Sequence, residues 1–249
     1  MAFKDPFATA QTYGQSQAVA YDAGLRAYML RIYNFMASGL ALTGIVALFT
    51  ANSSAMQALL YAQNAQGMVV PSGLGYLVMF APLGIVLWLS FGLNRISAGF
   101  AQGLFWAYSV MMGLSLSSIF LMYTGESIAR TFFVTAGTFG AMSLYGYTTK
   151  KDLSSWGSFL IMGLIGLIIA SLVNLFLQSS ALAFATSVIG VLIFVGLTAY
   201  DTQKIKAMYY QLGSTGELAA KMAIMGALNL YMDFINIFLH LLRFMGERR

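Results

Sequence analysis

Long apolar runs, separated by short polar stretches, follow one another along the chain from about residue 31 onward. An α-helix rises about 1.5 Å per residue, so about 20 mainly apolar residues are enough to cross the hydrocarbon core of a bilayer. Seven runs reach roughly that length, at residues 32–51, 74–94, 99–123, 131–149, 156–178, 181–203 and 223–245. The pattern predicts an all-α integral membrane protein whose single domain, residues 31–249, is a bundle of seven transmembrane helices.

The N-terminal segment before these runs is polar by comparison. It includes the stretch QTYGQSQ and has few apolar neighbours in sequence. It also lacks a short apolar core followed by a small-residue cleavage site, so we expect no cleaved signal peptide. Residues 1–30 are therefore predicted to form a tail at the surface of the membrane domain.

The composition is typical of a membrane protein, and it argues against several kinds of functional site. Hydrophobic residues make up 59% of the 249 positions and charged residues 8%, whereas soluble domains have about 25% charged residues. The chain has no cysteine and one histidine, so we expect neither a disulfide nor a typical zinc site. No phosphate-binding glycine loop is present either. We expect no cofactor and no nucleic-acid partner.

The basic residues give the chain a net charge of +5, and their positions are typical of topology signals. Most of them lie in the N-terminal tail and in the second, fourth and sixth connections, which predicts a cytoplasmic N-terminus. Arg243, Arg248 and Arg249 then fall on the opposite side if the seventh run crosses fully. Two interpretations stay open, a full crossing and a segment that enters and returns. The length of the seventh run, about 23 residues, favours the full crossing.

A polar stripe follows one face of the seventh run, which reads ALNLYMDFINIFLHLLRFM. Its members are spaced 4, 3, 4 and 3 residues apart, within about 80° of one another on a helix. They are Asn229, Asp233, Asn236, His240 and Arg243. An aspartate at the bilayer centre costs about 2.5–3.5 kcal/mol on insertion scales. The stripe is therefore expected to face the protein interior, where it either joins helices or lines a site.

A second acid, Asp201, ends the apolar run LIFVGLTAYDTQKIK, and Thr198 lies one turn earlier on nearly the same face. Read alone, Asp201 could be an ordinary helix-end acid paired with Lys204 or Lys206. If Asp201 contacts Asp233, ionising both carboxyls has a high free-energy cost. The two groups then share one proton. Such a pair would sense pH and could gate a cation path between two helices.

Contact between Asp201 and Asp233 requires a long sixth helix. Asp233 lies 12 residues after Lys221, or about 18 Å along a helix, whereas Asp201 lies only three residues before Lys204. Contact requires the sixth helix to continue through AMYYQL at 207–212, with its lysines extending towards the membrane surface.

The stretches GLTAYDTQKIK at 196–206 and LYMDFINIFLHLLR at 230–243 together resemble the Bax inhibitor-1 family, also called the transmembrane Bax inhibitor motif family. SLYGYTTKKDLSSWGSFL at 143–160 and MGLSLSSIF at 112–120 fit its bacterial branch. The resemblance covers the chain from about residue 25 onward. It implies seven helices with the last one central, a bacterial inner (plasma) membrane location and a pH-sensitive calcium leak. In eukaryotes the family is also associated with suppression of cell death.

The resemblance further implies that Asp201 and Asp233 are the pH sensor of the family and that Arg95 competes for this pair. Some relatives carry a glutamate inside the second span, where residues 75–94 of this chain contain no acid. Weak calcium contacts are expected at the two aspartates, since calcium prefers oxygen ligands. The residues predicted to line a pore or polar seam beside this pair are Asn229, Asn236, His240 and Thr198.

Two other functions stay open from the sequence. Tyr200-Asp201 matches one motif of intramembrane aspartyl proteases, but Asp233 follows Leu-Tyr-Met instead of the Gly-x-Gly of the second motif. We therefore expect no enzymatic activity. The other alternative is a non-conducting regulator that binds another membrane protein complex, with the polar tail as its docking segment.

Overall fold

The computed structural model describes residues 6–64, 69–213 and 215–249, and it describes side chains from residue 23 onward. Part of the predicted N-terminal tail, residues 1–5, lies outside the described residues. A short helical turn, Leu93–Arg95, lies between the third and fourth helices. The elements in chain order are α1 (Pro6–Asn52), α2 (Ser54–Leu60), β1 (Tyr61–Gln63), β2 (Val69–Pro71), α3 (Gly73–Gly92), α4 (Ala98–Met122), α5 (Gly125–Thr148), α6 (Ser154–Leu177), α7 (Ser180–Leu212) and α8 (Glu217–Met245).

Within the described residues, six helices are long and apolar enough to cross a membrane. They are α1 over 23–52, α3 with the turn that follows it, α4, α6, α7 and α8. The chain is thus an integral membrane protein, but six helices meet this criterion where the sequence predicted seven. The remaining candidate, α5, is 24 residues long and more polar, with Thr131, Thr135 and Ser143 among its buried residues.

Helix α1 runs through residue 30, the predicted end of the tail, without a break. Leu25, Tyr28 and Met29 are buried in the core, and the ring of Tyr28 lies 5.5 Å from that of Tyr209 on α7. The packed part of α1 therefore begins before the predicted boundary of the membrane domain.

The first connection contains a short helix and a two-stranded antiparallel hairpin that the sequence pattern did not indicate. In this hairpin Tyr61 pairs with Pro71 and Gln63 with Val69. The Tyr61 hydroxyl is hydrogen-bonded to the Ser117 hydroxyl of α4 at 3.0 Å. This contact fixes the hairpin to one end of the bundle.

Helix α8 packs against four neighbours, α7, α1, α5 and α4, and its pairing with α7 is the most extensive in the described structure. Small residues allow close helix approach elsewhere in the bundle. A side chain at Gly146 of α5 would overlap the backbone carbonyl of Ala199 on α7. A side chain at Gly113 of α4 would likewise overlap Thr43 and Val46 of α1.

The last four residues turn back along the connection between α4 and α5. Tyr123 and Arg248 form an antiparallel bridge, Thr124 N–H donates to the Glu247 carbonyl at 3.1 Å, and Glu247 N–H donates to the Ser127 hydroxyl at 2.9 Å. The C-terminus thus lies at the α4–α5 end of the bundle. Helix α8 reaches that end as one unbroken helix of 29 residues, as the full-crossing interpretation requires.

Candidate functional site

The two acids singled out by the sequence lie on α7 and α8, the two helices that pack most extensively on each other. Asp233 of α8 is buried, with 4% of its surface exposed, and Asp201 of α7 is partly buried. The carboxyl of Asp201 is close enough for its charge to act on that of Asp233. One carboxylate oxygen of Asp233, Oδ2, is buried without a hydrogen-bond partner among the described residues. A buried polar atom in this condition is costly unless a donor reaches it.

This proximity depends on the length of α7. The helix extends to Leu212, past both lysines, as the pairing required. Lys206 Nζ donates to the Tyr147 carbonyl oxygen at 2.7 Å, in the last turn of α5, where unpaired carbonyls favour a cation. Lys204 Nζ lies 5.9 Å from the ring centre of Tyr200. Neither lysine forms an ion pair with Asp201 in the part of the chain that is described.

The other predicted seam residues differ in their surroundings. Thr198 is fully buried and its hydroxyl donates to the Phe194 carbonyl at 2.8 Å. Asn236 is partly buried and its amide donates to the Met232 carbonyl at 2.8 Å. Asn229 is also partly buried and Arg243 is exposed. The polar stripe of α8 therefore ends at the surface with Arg243. The Asn236 amide on α8 and the Thr198 hydroxyl on α7 are each satisfied within their own helix.

His240 occupies an apolar contact between α7 and α8. Its ring stacks on Phe194, with 5.8 Å between centres and 26° between planes. Gly190 provides the space, because a Cβ at that position would lie within 2.6 Å of ring atoms of His240. The Nδ1 atom has no hydrogen-bond partner among the described residues. This arrangement favours a packing role for the ring.

Arg95 lies in the helical turn after α3 and is exposed. Among the described residues it forms no ion pair with Asp201 or Asp233. Its competition for the pair remains a prediction in this arrangement of the helices.

A chain of hydroxyl groups next to Asp201 was not predicted. The Tyr33 hydroxyl of α1 is hydrogen-bonded to the Ser143 hydroxyl of α5. The Ser143 hydroxyl is in turn hydrogen-bonded to that of Thr202 on α7 at 3.0 Å. Thr202 donates to the Thr198 carbonyl at 2.8 Å. Three helices are thereby joined one residue beyond the acid.

A second polar junction joins α1, α4 and α8 in the core. The Thr43 hydroxyl is hydrogen-bonded to the Ser109 carbonyl at 2.8 Å and to the Tyr231 hydroxyl at 2.6 Å. The Tyr231 ring meets that of Tyr108 edge-on at 5.2 Å. No residue of this junction was predicted from the sequence, because its members lie on three different helices.

The acids are too few to form a conventional metal site. No group of three or more His, Cys, Asp or Glu residues that could hold a metal ion occurs within the described residues. Calcium is usually held by six to eight oxygen atoms. Two carboxyls can therefore offer a passing cation a contact, but they supply only a fraction of a resident site.

Comparison with known proteins agrees with the motifs. The family model described as "Inhibitor of apoptosis-promoting Bax1" matches residues 25–249. The chain belongs to the Bax inhibitor-1 family. It is 53% identical to the inner membrane protein YbhL of Escherichia coli over 229 residues, which are 91% of this chain and 94% of YbhL. It is 54% identical to RP147 of Rickettsia prowazekii over 234 residues, 94% of this chain and 95% of that protein. The family resemblance predicted from the sequence is confirmed.

In this Bax inhibitor-1 family protein, the connection between α5 and α6 is tied to the α7 helix that carries Asp201. Gln203 accepts a hydrogen bond from Leu153 N–H and donates one to the Lys151 carbonyl, both at 2.8 Å. In the same connection, hydrogen bonds from Ser154 lower the pKa of the Asp152 carboxyl. The segment of α7 beyond Asp201 is thus fixed from outside the bundle as well as from within.

Proposed function

We propose that this protein is a pH-sensitive leak pathway for cations, with calcium as the principal ion, and that Asp201 and Asp233 gate it. The observation that carries the proposal is the buried Oδ2 of Asp233, which lacks a hydrogen-bond partner among the described residues while the Asp201 charge acts on the same carboxyl. Family membership supports a membrane function of this kind over a soluble activity.

A proton shared by the pair explains both features. With one proton, the two carboxyls form a short, strong hydrogen bond that joins α7 to α8 and supplies the missing donor. With no proton, two like charges repel each other in a poorly hydrated setting. The proton count therefore changes the attraction between the two helices, and a path between them changes with it.

We further propose that α5 is a seventh span. A helix of 24 residues is about 36 Å long, enough for a bilayer core. Its hydroxyl residues Thr131 and Thr135 are buried, whereas Phe133 and Leu144 are exposed on the outside. Its modest hydropathy is then a consequence of polar groups that face other helices. In this arrangement α8, which packs on four neighbours, is the central helix.

For the membrane and the orientation, we propose the inner membrane, as for the relative named inner membrane protein YbhL, with the N-terminus in the cytoplasm. The distribution of basic residues supports this orientation. The α7–α8 connection then faces the cytoplasm, as do Lys204, Lys206 and Lys221 in the helix ends beside it, and the C-terminal segment faces the opposite side.

The proposal is tested by calcium flux from vesicles that contain the purified protein, measured across a pH series and compared with other cations. An amide cannot ionise, so Asp201→Asn and Asp233→Asn are each expected to shift or abolish the pH dependence of flux. Asp152→Asn is the matched control, because this exposed acid lies outside the spans and should keep the wild-type response. A wild-type pH response in both membrane variants would rule out the sensor.

The same preparation tests the role of His240. Because its ring packs on Phe194, His240→Ala should keep most of the flux, and complete loss in folded protein would assign it to the path. Wild-type protein that leaks no cation would favour a non-conducting regulator. We also propose that the protein is not an enzyme, and cleavage of a membrane peptide that Asp201→Asn abolishes would overturn this.

A further inference from the structure

An apolar crevice opens between α5 and the α1–α4 pair, with α8 as its floor. It contains about 530 Å³ of free space, a figure that includes its open side. Its lining residues are Leu40, Thr43, Gly44 and Ala47 of α1, Leu116, Ile119 and Phe120 of α4, Ile128 and Phe132 of α5, and Phe234, Ile235 and Phe238 of α8. We call this space the apolar crevice.

The polarity of the apolar crevice defines the chemistry of an occupant. Among the described lining residues, Thr43 is the one with a polar side chain, and its hydroxyl is already hydrogen-bonded to the Ser109 carbonyl and the Tyr231 hydroxyl. An occupant therefore meets no unsatisfied side-chain polar group at the walls. Water is poorly held in apolar cavities of this kind, whereas a hydrocarbon chain fits them.

The innermost lining residue on α8, Phe234, lies about one leaflet away from the end of that helix. From Phe234 to the end of α8 at Met245 is 11 residues, or about 16 Å, close to half of a hydrocarbon core of about 30 Å. Phe120 lies near the end of α4 and Ile128 near the start of α5. The apolar crevice thus runs from the α4–α5 end of the bundle towards its middle.

Basic residues lie at that same end of the bundle. Arg248 and Arg249 are exposed, and the backbone of both is held at the α4–α5 connection. Within the described residues neither side chain forms an ion pair, whereas Arg130 is paired with Glu126 at 2.9 Å. A lipid phosphate complements such uncompensated guanidinium groups.

We propose that the apolar crevice binds one acyl chain of a phospholipid from the leaflet on the C-terminal side, with the lipid phosphate at Arg248 and Arg249. The chain end reaches Phe234, the residue directly after Asp233, so the lipid contacts α8 beside the acid. This site does not depend on whether the protein conducts ions.

Gly44 offers a way to fill the crevice without disturbing the backbone. A Cβ at Gly44 would meet no atom within 4 Å, and the same holds for Gly84 on α3, outside the crevice. Gly44→Leu places a side chain in the crevice, and Gly84→Leu is the matched control. Ile128→Trp, at a partly buried position of the lining, fills the space from the opposite wall.

The experiment uses full-length protein in lipid nanodiscs that contain phosphatidylglycerol with a photoreactive group on its acyl chain. In wild-type protein, we expect adducts on peptides of the lining to exceed those on the exposed face of α6. Gly44→Leu and Ile128→Trp should reduce the lining adducts several-fold, and Gly84→Leu should leave them unchanged. Equal labelling of the lining and α6 in wild-type protein, or undiminished lining adducts in both filled variants, would overturn the proposal.

The headgroup is tested separately with Arg248→Gln combined with Arg249→Gln. Labelling in wild-type protein should be stronger with phosphatidylglycerol than with phosphatidylcholine carrying the same chain, and the double variant should lose this difference. Equal labelling by both lipids in wild-type protein would refute the phosphate contact.

Discussion

Helices α6 and α8 are both candidate spans. Helix α6 is the more apolar and the less buried of the two, whereas α8 is the more polar and the more buried. The most apolar stretch of α6 has a mean hydropathy of 2.6 and is 11% buried, whereas that of α8 has a mean hydropathy of 1.5 and is 67% buried. In a soluble protein the more apolar helix would be inside. Here lipid is as apolar as a leucine side chain, so apolar surface alone does not drive a helix inward.

Individual side chains explain why the more polar helix is the more buried one. On α6, Ile165, Ile168 and Phe176 are exposed towards the surroundings, where lipid solvates them. On α8, Asp233 and His240 are buried, since a polar group in contact with hydrocarbon is costly. Polarity thus selects the helices that occupy the interior of this bundle, and close packing holds them there.

The largest expected effect comes from glycine substitutions that contrast interior with lipid-facing positions. Gly146→Leu should drive a side chain into the Ala199 backbone of α7 and destabilise the fold by about 3 kcal/mol or more. Gly166→Leu on α6, where a Cβ meets nothing within 4 Å, should cost less than about 0.5 kcal/mol. Thermal unfolding in detergent micelles measures both. Similar losses in the two variants would contradict the contrast.

An intermediate effect is expected from truncating one aliphatic side chain on each helix. Leu228→Ala removes a fully buried side chain from α8 and should cost about 2–5 kcal/mol, because the space left behind is only partly refilled. Ile168→Ala, at a position 52% exposed on α6, should cost less than about 0.5 kcal/mol. Equilibrium unfolding in mixed micelles gives the two values. A larger loss at Ile168 would reverse the proposed roles of the helices.

The smallest effect concerns the hydroxyl chain near Asp201. Thr202→Val removes the hydrogen bond to Ser143 at nearly constant volume and should cost about 0.6–2 kcal/mol, and Thr202→Ser should restore most of it. The control is Thr138→Val on α5; among the described residues, the Thr138 hydroxyl bonds within its own helix, to the Val134 carbonyl. The same unfolding assay applies. A loss at Thr138 equal to that at Thr202 would show that the inter-helix bond adds nothing.

Periodicity predicted much of the candidate site because helix geometry is local. The spacing of the polar stripe placed Asp233 and His240 on one face of α8, and both are buried. The need for Asp201 to meet Asp233 predicted that α7 continues through 207–212, and it does. The Tyr33–Ser143–Thr202 chain was not predicted, because its members lie on three helices and single hydroxyls leave little trace in an apolar run.

The sequence by itself determined that this chain lies in a membrane, where its apolar segments are, which face of α8 is polar and which family it belongs to. Each of these follows from composition, local periodicity or contiguous motifs. Only the tertiary structure decided that Leu25 of α1 is buried in the core, that Arg248 returns to Tyr123 and that an apolar crevice remains beside α5. These features depend on which helices touch, and in lipid that choice is made by close packing and a few hydrogen bonds between residues distant in the chain.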